Sequence, residues 1–416
     1  MRAVKGFAVA ALAAMTLGAV ACSNPPTPPV DNGRYVAAGG VDVGGCSASA
    51  SPCATITYAV GQAIAGETIH VGSGTYDELV SVTKPLVFEG ANKGVAAGAT
   101  PQSRGPESIV KGFRTPGEPH PNSTGSFDVT VDGFTIDPQD DAALIAPNTH
   151  HLVGLFGGSD VKVRNNIFNG GPWVPDCDYV CTTMTDAAIM VMSGSYEVKD
   201  NTFTNFRRPM DVTQMDASHP VVSGTITGNA FTHVTSRAIW INEYQGGPFP
   251  HTIVVSENTF DATGRTGDDY PAGIVITSGG NRIEDNTFTA FSSAVFVQVC
   301  DGTNTDGVTN SYARNTFTDN RTGIHYFVAA PCGATTVDAS INGNSFDGGI
   351  WGGPGSLQKI GVRWNDFGGP HPGVLNASCN YWGAAGGANS TGASTTTVDV
   401  QSSPWQTTPF GACDGV

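Results

Sequence analysis

The sequence predicts an all-β protein built as a β-solenoid, and three observations carry this prediction. A short motif, Asn-x-Phe, recurs between residues 166 and 382, and most copies begin 28 or 29 residues after the previous one. Most repeats also contain a second short segment with alternating apolar residues, and a period of two is typical of strands. The chain is rich in turn formers, with 54 Gly and 26 Pro among 416 residues. Because strands this short cannot bury a face alone, we expect the repeats to stack around one continuous core.

The Asn-x-Phe motifs are expected to be structural, and we assign them no chemistry. Each Phe should stack on the Phe of the coils above and below it. Asn suits a bend because it tolerates a left-handed backbone and can form a hydrogen bond with its copy in the next coil. The motif copies, of which the last has Trp in place of Phe, begin at Asn166, Asn201, Asn229, Asn258, Asn286, Asn315, Asn344, Asn365 and Asn380.

The first 21 residues are predicted to be a signal peptide and not part of the fold. Two basic residues precede an apolar stretch over 6–20 that is too short for a comfortable membrane span. The stretch resembles a bacterial lipoprotein signal, which implies lipidation of Cys22. Ala19 stands where that pattern usually has Leu, and a plain signal peptide cut after Ala21 is the alternative. Residues 22–33 are expected to form a proline-rich tether, and residues 34–416 the solenoid domain.

The eight remaining cysteines are an even number, which predicts four disulfides formed in an oxidising compartment. A zinc site at Cys177 and Cys181, which are separated by three residues, is disfavoured, because no second Cys or His pair lies at a suitable spacing. We therefore expect an exported, cell-surface, periplasmic or extracellular protein that contacts the membrane only through a lipid anchor. Pairing of sequence neighbours joins Cys46 with Cys53, Cys177 with Cys181, Cys300 with Cys332, and Cys379 with Cys413.

The charge balance excludes two classes of partner. The chain has 20 Lys and Arg against 36 Asp and Glu, a net charge of −16. A chain this acidic lacks the positive surface that binds nucleic acid or anionic lipid. We expect neither of them as a partner.

Three segments resemble a known family. Residues 53–64 (CATITYAVGQAI) are typical of a short amphipathic helix that caps an open end, residues 66–80 (GETIHVGSGTYDELV) are similar to a first coil, and residues 377–383 (ASCNYWG) resemble a closing coil. On these motifs the chain, over roughly residues 34–405, resembles the pectate-lyase-like superfamily of proteins with parallel β-helix (PbH1) repeats. The resemblance implies a right-handed parallel β-helix with a short N-terminal capping helix. Members include polysaccharide-cleaving enzymes and non-catalytic surface proteins, some of them trimers, so activity and oligomeric state stay open.

Alternation along the second segment places two columns of side chains on the outside of the solenoid. Aromatic residues beside amides suit stacking on sugar rings and hydrogen bonding to sugar hydroxyls, so a polysaccharide or cell-surface glycan is the expected partner. The alternative is that loops cover the strip and the aromatics are ordinary packing. The first column contains Met190, Asp211, Trp240, Val275, Phe296, His325 and, as a further candidate, Trp351, and the second contains Met192, Thr213, Asn242, Thr277, Gln298 and Phe327.

Two longer loops, within 166–189 and 258–274, flank coils with charged residues and predict a groove over 207–270. Glycoside hydrolysis needs two carboxyl groups that flank the bond, and arginines could hold an acidic sugar. A polysaccharide lyase is a less favoured alternative, and a non-catalytic glycan-binding or adhesion protein is the alternative from another class. The catalytic candidates are Asp211, Glu243, Asp268 and Asp269, and the substrate-binding candidates are Arg208, Arg237, Trp240, Asn242, Tyr244, Phe296, Gln298 and His325.

No cofactor is expected apart from one conceivable calcium site. Four aspartates lie close in sequence, and hard cations bind clustered oxygen ligands. Their spacing matches no calcium loop that we can name, and solvated turns are the alternative. These residues are Asp132, Asp137, Asp140 and Asp141.

Overall fold

The computed structural model of the chain describes residues 33–115, 128–145, 151–156, 160–175, 184–192, 194–214, 221–243, 252–265, 271–299, 309–328, 337, 339–352, 357–366, 374–397 and 399–413. These residues all lie in one compact unit, Gly33–Val416. Successive coils stack so that equivalent strands pair in parallel, and most coils contribute one strand to each of three faces. The predicted all-β parallel β-helix is therefore confirmed.

The first face is a sheet of thirteen strands. Its inward side chains alternate with outward ones, as in the buried and half-buried residues of Asp160–Arg164. The strands of the first face are Arg34–Val36, Thr68–Val71, Leu86–Glu89, Val129–Asp132, Asp160–Arg164, Gly194–Lys199, Val221–Thr227, Thr252–Ser256, Arg282–Glu284, Ser311–Ala313, Ser340–Asn342, Leu375–Asn376 and Val400–Gln401.

The second face contains the Asn-x-Phe motifs, and the third face contains the second segment of each repeat. Two long strands near the N-terminal end, Gly74–Ser81 and Ser108–Arg114, pair with each other, and the latter contacts both faces. The strands of the second face are Thr135–Ile136, Ile167–Asn169, Thr202–Phe206, Ala230–Val234, Thr259–Asp261, Thr287–Thr289, Thr316–Thr318 and Ser345–Phe346. The strands of the third face are His151–Phe156, Ala187–Met192, Met210–Gln214, Arg237–Glu243, Ala272–Ile276, Ser293–Val299, Thr322–Val328, Ile360–Asp366 and Thr395–Thr396.

The Phe residues of the motifs form one continuous stack inside the solenoid. The ring centroids from Phe168 to Phe346 lie 4.6–5.2 Å apart, and the stack ends on Trp382 at 5.0 Å. The small residue that opens each third-face segment leaves room for these rings, because a Cβ on Gly273 would lie 2.8 Å from the ring of Phe288. The predicted stack is confirmed.

The Asn residues form a buried ladder beside the stack. Nδ2 of Asn258 donates to Oδ1 of Asn286 at 3.0 Å and to the carbonyl oxygen of Ile226 at 2.8 Å. Oδ1 of Asn258 accepts from the backbone N–H and the Nδ2 of Asn229, at 2.9 and 3.0 Å. The same pattern joins Asn166 to Asn380 through every copy but one, so the predicted contact between copies is confirmed.

The expected left-handed backbone lies one residue before each Asn. Because the Asn side chain points inward to the ladder, the preceding residue makes the bend, with φ between 54° and 67°. The residues at these bends are Asn165, Asp200, Gly228, Glu257, Asp285, Arg314, Gly343 and Cys379.

Asn365 is not a member of the ladder, although the sequence motif predicted it. Asn365 lies in Ile360–Asp366 on the third face and pairs with Phe327. The ladder passes directly from Asn344 to Asn380, with Nδ2 to Oδ1 at 3.0 Å. The motif match arises by chance because Asn and Phe are frequent in this chain.

The N-terminal end is covered by the predicted helix, which spans Ile56–Gln62. The hydroxyl of Thr55 accepts from the N–H of Tyr58 at 3.2 Å, as expected of an N-cap. The Glu78 carboxylate accepts from the N–H groups of Ile56 and Thr57, both at 2.8 Å. The other described helix is Ala142–Ile145, and no helix in the described part of the chain is long and apolar enough to span a membrane.

Two of the four predicted disulfides are present among the described residues. Cys46 bonds with Cys53 beside the capping helix, with Cα atoms 5.4 Å apart. Cys379 bonds with Cys413 at the closing end, with Cα atoms 5.0 Å apart. The other predicted cysteine sites lie outside the described residues, and they are Cys22, Cys177, Cys181, Cys300 and Cys332.

Candidate functional site

The outer side chains of the third face lie in columns along the solenoid axis. Trp240 pairs with Asp211 on one side and with Val275 on the other. The column continues through Phe296 to His325. The order that the alternation predicts is therefore confirmed for these five residues.

The next member of this column is Arg363, and the candidate Trp351 is not part of it. Arg363 lies in Ile360–Asp366 and pairs with His325. Residues 349–351 also consist of a small residue followed by apolar ones, which explains why the sequence suggested an earlier strand. The ring of Trp351 instead lies beside Arg321, with 5.9 Å from the guanidinium carbon to the ring centroid.

A cleft of about 630 Å³ lies on the third face. Its lining extends over five successive coils, from Arg237 in the first to Arg363 in the fifth. Amide side chains of Gln298 and Asn365 and several Ser and Thr hydroxyls face it. The cleft is thus long in the direction of the axis and mixed in its chemistry.

Two phenylalanines and one histidine form the floor of the cleft. The rings of Phe296 and Phe327 lie 5.7 Å apart in a stacked arrangement, and His325 meets the ring of Phe296 edge-on at 5.0 Å. Both Phe side chains are half-buried. The aromatic side chains predicted to lie on the outside of the solenoid are therefore only partly exposed in the cleft.

His325 is nearly fully buried at the bottom of the cleft. Its Nδ1 lies 3.3 Å from the hydroxyl oxygen of Ser293, and its Nε2 has no hydrogen-bond partner among the described residues. Burial and, to a smaller extent, the positive charges of Arg363 and Arg321 together lower the pKa of His325 to about 4. The imidazole is consequently neutral at pH 7.

The cleft carries positive charge at its two ends. Arg237 is at one end, and its guanidinium carbon lies 3.9 Å from the ring centroid of Trp240, a cation–π contact. Burial lowers the pKa of Arg237 to about 10, which still leaves it charged at pH 7. Arg321 and Arg363 are at the other end, and none of the described residues that line the cleft is Asp or Glu.

Asp211 lies one coil beyond Arg237 and is buried. Its Oδ2 is 3.6 Å from Nε2 of His151, and its Oδ1 has no hydrogen-bond partner among the described residues. Asp211 pairs with Trp240, in the coil that carries Arg237 at one end of the cleft.

Arg208 has a structural contact in the segment before Asp211, whereas the sequence analysis predicted it to bind substrate. Arg208 and Arg207 both bind the buried carboxylate of Asp186, Arg207 with an Nε to Oδ1 distance of 2.7 Å. Burial would raise the pKa of Asp186, but the hydrogen bonds and charges of the two arginines outweigh burial and lower it. The three residues hold successive coils together beneath one end of the site.

The remaining predicted site residues are placed only in part. Asn242 is buried, and its Oδ1 accepts from the hydroxyl of Thr277 at 2.9 Å. The backbone of Glu243 pairs with Gln214, three residues along the strand from Asp211 and its partner. Tyr244, Asp268 and Asp269 lie outside the described residues. The second carboxylate of a hydrolase thus stays a prediction.

Three of the four aspartates considered for calcium bind other side chains. Oδ2 of Asp132 accepts from Nε of Arg164 at 3.0 Å, and Oδ2 of Asp141 accepts from Nζ of Lys111 at 3.1 Å. Asp137 accepts from a side-chain amide at 2.8 Å, and Asp140 adopts a left-handed backbone in a turn. Across the described ranges, no group of three or more His, Cys, Asp or Glu side chains converges.

The sequence interpretation missed two arginines of the cleft. Arg321 lies directly before a third-face strand, and Arg363 lies inside the strand that the false motif at Asn365 concealed. The sequence does contain a signal for Arg363, because residues 360–365 (IGVRWN) match residues 322–327 (TGIHYF) in their alternation. This alignment places Arg363 directly beside His325.

Comparisons with known proteins give a family and a weak structural likeness. A solved structure of XylC in complex with xylose is 13% identical, with 80% of this chain and 69% of that chain covered and a TM-score of 0.42. The catalytic domain of a GH87 alpha-1,3-glucanase in complex with nigerose is 12% identical, with 91% and 69% covered and a TM-score of 0.39. No curated protein matches the sequence. Residues 38–259 match a family described as "Protein of unknown function (DUF1565)".

Proposed function

Since the chain belongs to the DUF1565 family, whose description assigns no activity, we propose its function from the third face: the protein binds a polysaccharide there. The observation that carries this proposal is the cleft, where Phe296 and Phe327 lie beside amide and hydroxyl side chains. Aromatic rings stack on the apolar faces of sugars, and amides and hydroxyls exchange hydrogen bonds with sugar hydroxyls. A volume of about 630 Å³ suits a few sugar rings.

The polysaccharide is proposed to lie along the solenoid axis. The lining of the cleft extends over five coils in this direction. Parallel strands in adjacent coils lie about 4.8 Å apart, which is close to the length of one sugar unit in an extended chain. Each coil would therefore face about one sugar.

Replacement of Phe296 by Ala is expected to weaken polysaccharide binding about tenfold, because a stacking surface is lost from the middle of the floor. Titration calorimetry against a panel of neutral and acidic oligosaccharides measures this. The matched control is Phe410→Ala, which removes a phenylalanine that is 52% exposed at the C-terminal end. A panel without a binding partner, or equal affinity of Phe296→Ala and the parent protein, would contradict the proposal.

We further propose that the protein hydrolyses the bound polysaccharide, with Asp211 as one of the two carboxyl groups. Support comes from the burial of Asp211 and from its Oδ1, which has no hydrogen-bond partner in the described part of the chain. In hydrolysis, one carboxyl group gives a proton to the leaving oxygen, while the other activates the water molecule or attacks the anomeric carbon. The second group would be Glu243, Asp268 or Asp269.

Elimination by a lyase is the alternative reaction. The neutral imidazole of His325 would act as its base. A base removes the proton next to the uronate carboxylate, the electron pair forms a carbon–carbon double bond, and the bond from carbon to the glycosidic oxygen breaks. The leaving oxygen takes up a proton, which the protonated base can return. The arginines of the cleft would offset the carboxylate charge. This route needs no second carboxyl group and yields an unsaturated sugar.

The Asp211→Asn variant is expected to lose at least about a hundredfold in kcat, with little change in binding, because an amide cannot exchange the proton. Release of reducing ends and absorbance of unsaturated products are both measured. Asp160→Asn, an exposed carboxylate on the first face, is the control. Unsaturated products that disappear in His325→Ala would indicate a lyase, and binding without any cleavage would indicate a non-catalytic glycan-binding protein.

A further inference from the structure

Resting on the proposed polysaccharide binding, we infer that the ligand is an acidic heteropolysaccharide whose anionic sugars are separated by several neutral ones. The geometry that supports this is the distribution of charge along the cleft. Arg237 lies at one end, and Arg321 and Arg363 lie at the other. The coils between them contribute uncharged side chains to the lining.

The positive charge of the cleft is unusual for this chain. The protein has a net charge of −16, yet three arginines and no Asp or Glu are found among the described residues that line the cleft. The planar guanidinium group binds carboxylate and sulfate oxygens through paired hydrogen bonds. A positive cleft on an acidic protein therefore selects an anionic ligand from solution.

The register gives the spacing of the two charged ends. Arg237 pairs with Ala272, and this column continues through Ser293 to Thr322, so Arg321 lies three coils from Arg237. Arg363 is in the following coil. At about 4.8 Å per coil, the ends are roughly 14 to 19 Å apart. An extended chain with one sugar per coil would place several sugars between two anionic groups.

The middle of the cleft is unfavourable for an anionic group of the ligand. Val275, Phe296, Ser292 and Gln298 line it, and all are uncharged. A carboxylate in this part would lose water without gaining a cation, which costs free energy. A polymer with a charge on every sugar therefore pays this cost, whereas a neutral polymer gains no attraction from the charge of the arginines.

Arg237 is placed to attract an anionic group. Its Nε is buried and has no hydrogen-bond partner among the described residues, while its guanidinium rests on Trp240. The carboxylates that attract Arg237 are Asp211, one coil away, and Asp186, and neither belongs to the described lining of the cleft. An anionic sugar at this end of the cleft would be attracted by the charge of the guanidinium group.

The test compares three oligosaccharides of equal length by titration calorimetry with the purified protein. They are fragments of deacylated gellan, whose glucuronates are separated by neutral sugars, fragments of polygalacturonate, and neutral cello-oligosaccharides. The gellan fragment is expected to bind most tightly and to lose affinity with added salt. Arg237→Gln and Arg363→Gln should each weaken it about tenfold or more, with little effect on the neutral sugar.

Two further variants separate charge from folding. Arg363→Lys keeps the charge and should retain part of the affinity for the gellan fragment. Arg282→Gln removes an exposed arginine on the first face and should change nothing. Tighter binding of polygalacturonate or of the neutral sugar, or unchanged binding in both Arg→Gln variants, would overturn the inference and leave the proposed function standing. A protein that binds none of the three and no other glycan would overturn the proposed function as well.

Discussion

Replacement of Asn258 by Ala is expected to lower the free energy of unfolding by about 3–5 kcal/mol. Asn258 lies in the middle of the buried ladder and exchanges hydrogen bonds with Asn229, Asn286 and the carbonyl oxygen of Ile226. Alanine leaves these buried groups without their partner and opens a small cavity. Urea-induced unfolding, followed by circular dichroism, measures the loss.

A second variant distinguishes the hydrogen bonds from the cavity. Asn258→Asp has nearly the same shape, but it replaces the Nδ2 donor by an acceptor that faces the carbonyl oxygen of Ile226. We expect it to be at least as destabilising as the alanine variant. Asn342→Ala is the matched control, because the side chain of Asn342 is exposed and, in the described structure, donates to the hydroxyl of the nearby Ser340. Unfolding of Asn258→Ala at the urea concentration of the parent protein would show that the ladder contributes little.

The Asp186→Asn variant is expected to lose about 3–5 kcal/mol, because it leaves two arginines near the core without their carboxylate. The Arg207 and Asp186 side chains are only 2% and 3% exposed, so water cannot replace the lost partner. Thermal and urea-induced unfolding at pH 7 measure the loss.

The control for Asp186 is another aspartate that binds an arginine. Asp285 accepts from Nε of Arg314 at 2.8 Å, but both side chains are substantially exposed, so Asp285→Asn should cost less than about 1 kcal/mol. The pKa of Asp186 is lowered in the fold, so its contribution is complete above the ordinary value of 3.8 and disappears as the pH falls through the lower folded value. Equal losses in the two variants would show that burial of the first pair does not matter.

The predicted core and the observed core agree because a solenoid uses each repeat in the same way. Every Phe of a true motif meets its copy at one coil spacing, so the identity of the residue and its period together specify the contact. The capping helix was predictable for a similar reason, since Thr55 and the apolar residues after it are local signals. The error at Asn365 arose where the motif was matched without its 28- or 29-residue spacing.

The order of side chains along the third face was also predictable, since alternation and repeat length determine which residues become neighbours. Alternation alone predicts Trp240, Phe296 and His325 in one column, as the structure has them. It could not show which arginines serve the cleft. Arg208 binds Asp186 within the wall of the solenoid, whereas Arg237 faces the cleft.

The sequence by itself determined the solenoid, the stacked Phe core, the capped N-terminal end and two of the disulfides, because each depends on local residues and on a repeat that superimposes them. Only the tertiary structure decided the depth of the aromatic strip, the neutral state of His325 and the charge at each end of the cleft. The burial of a side chain and the distances between charges depend on how neighbouring coils pack in three dimensions. Arg321 and Arg363 became part of one cleft with Arg237 only when five coils were stacked in their true register.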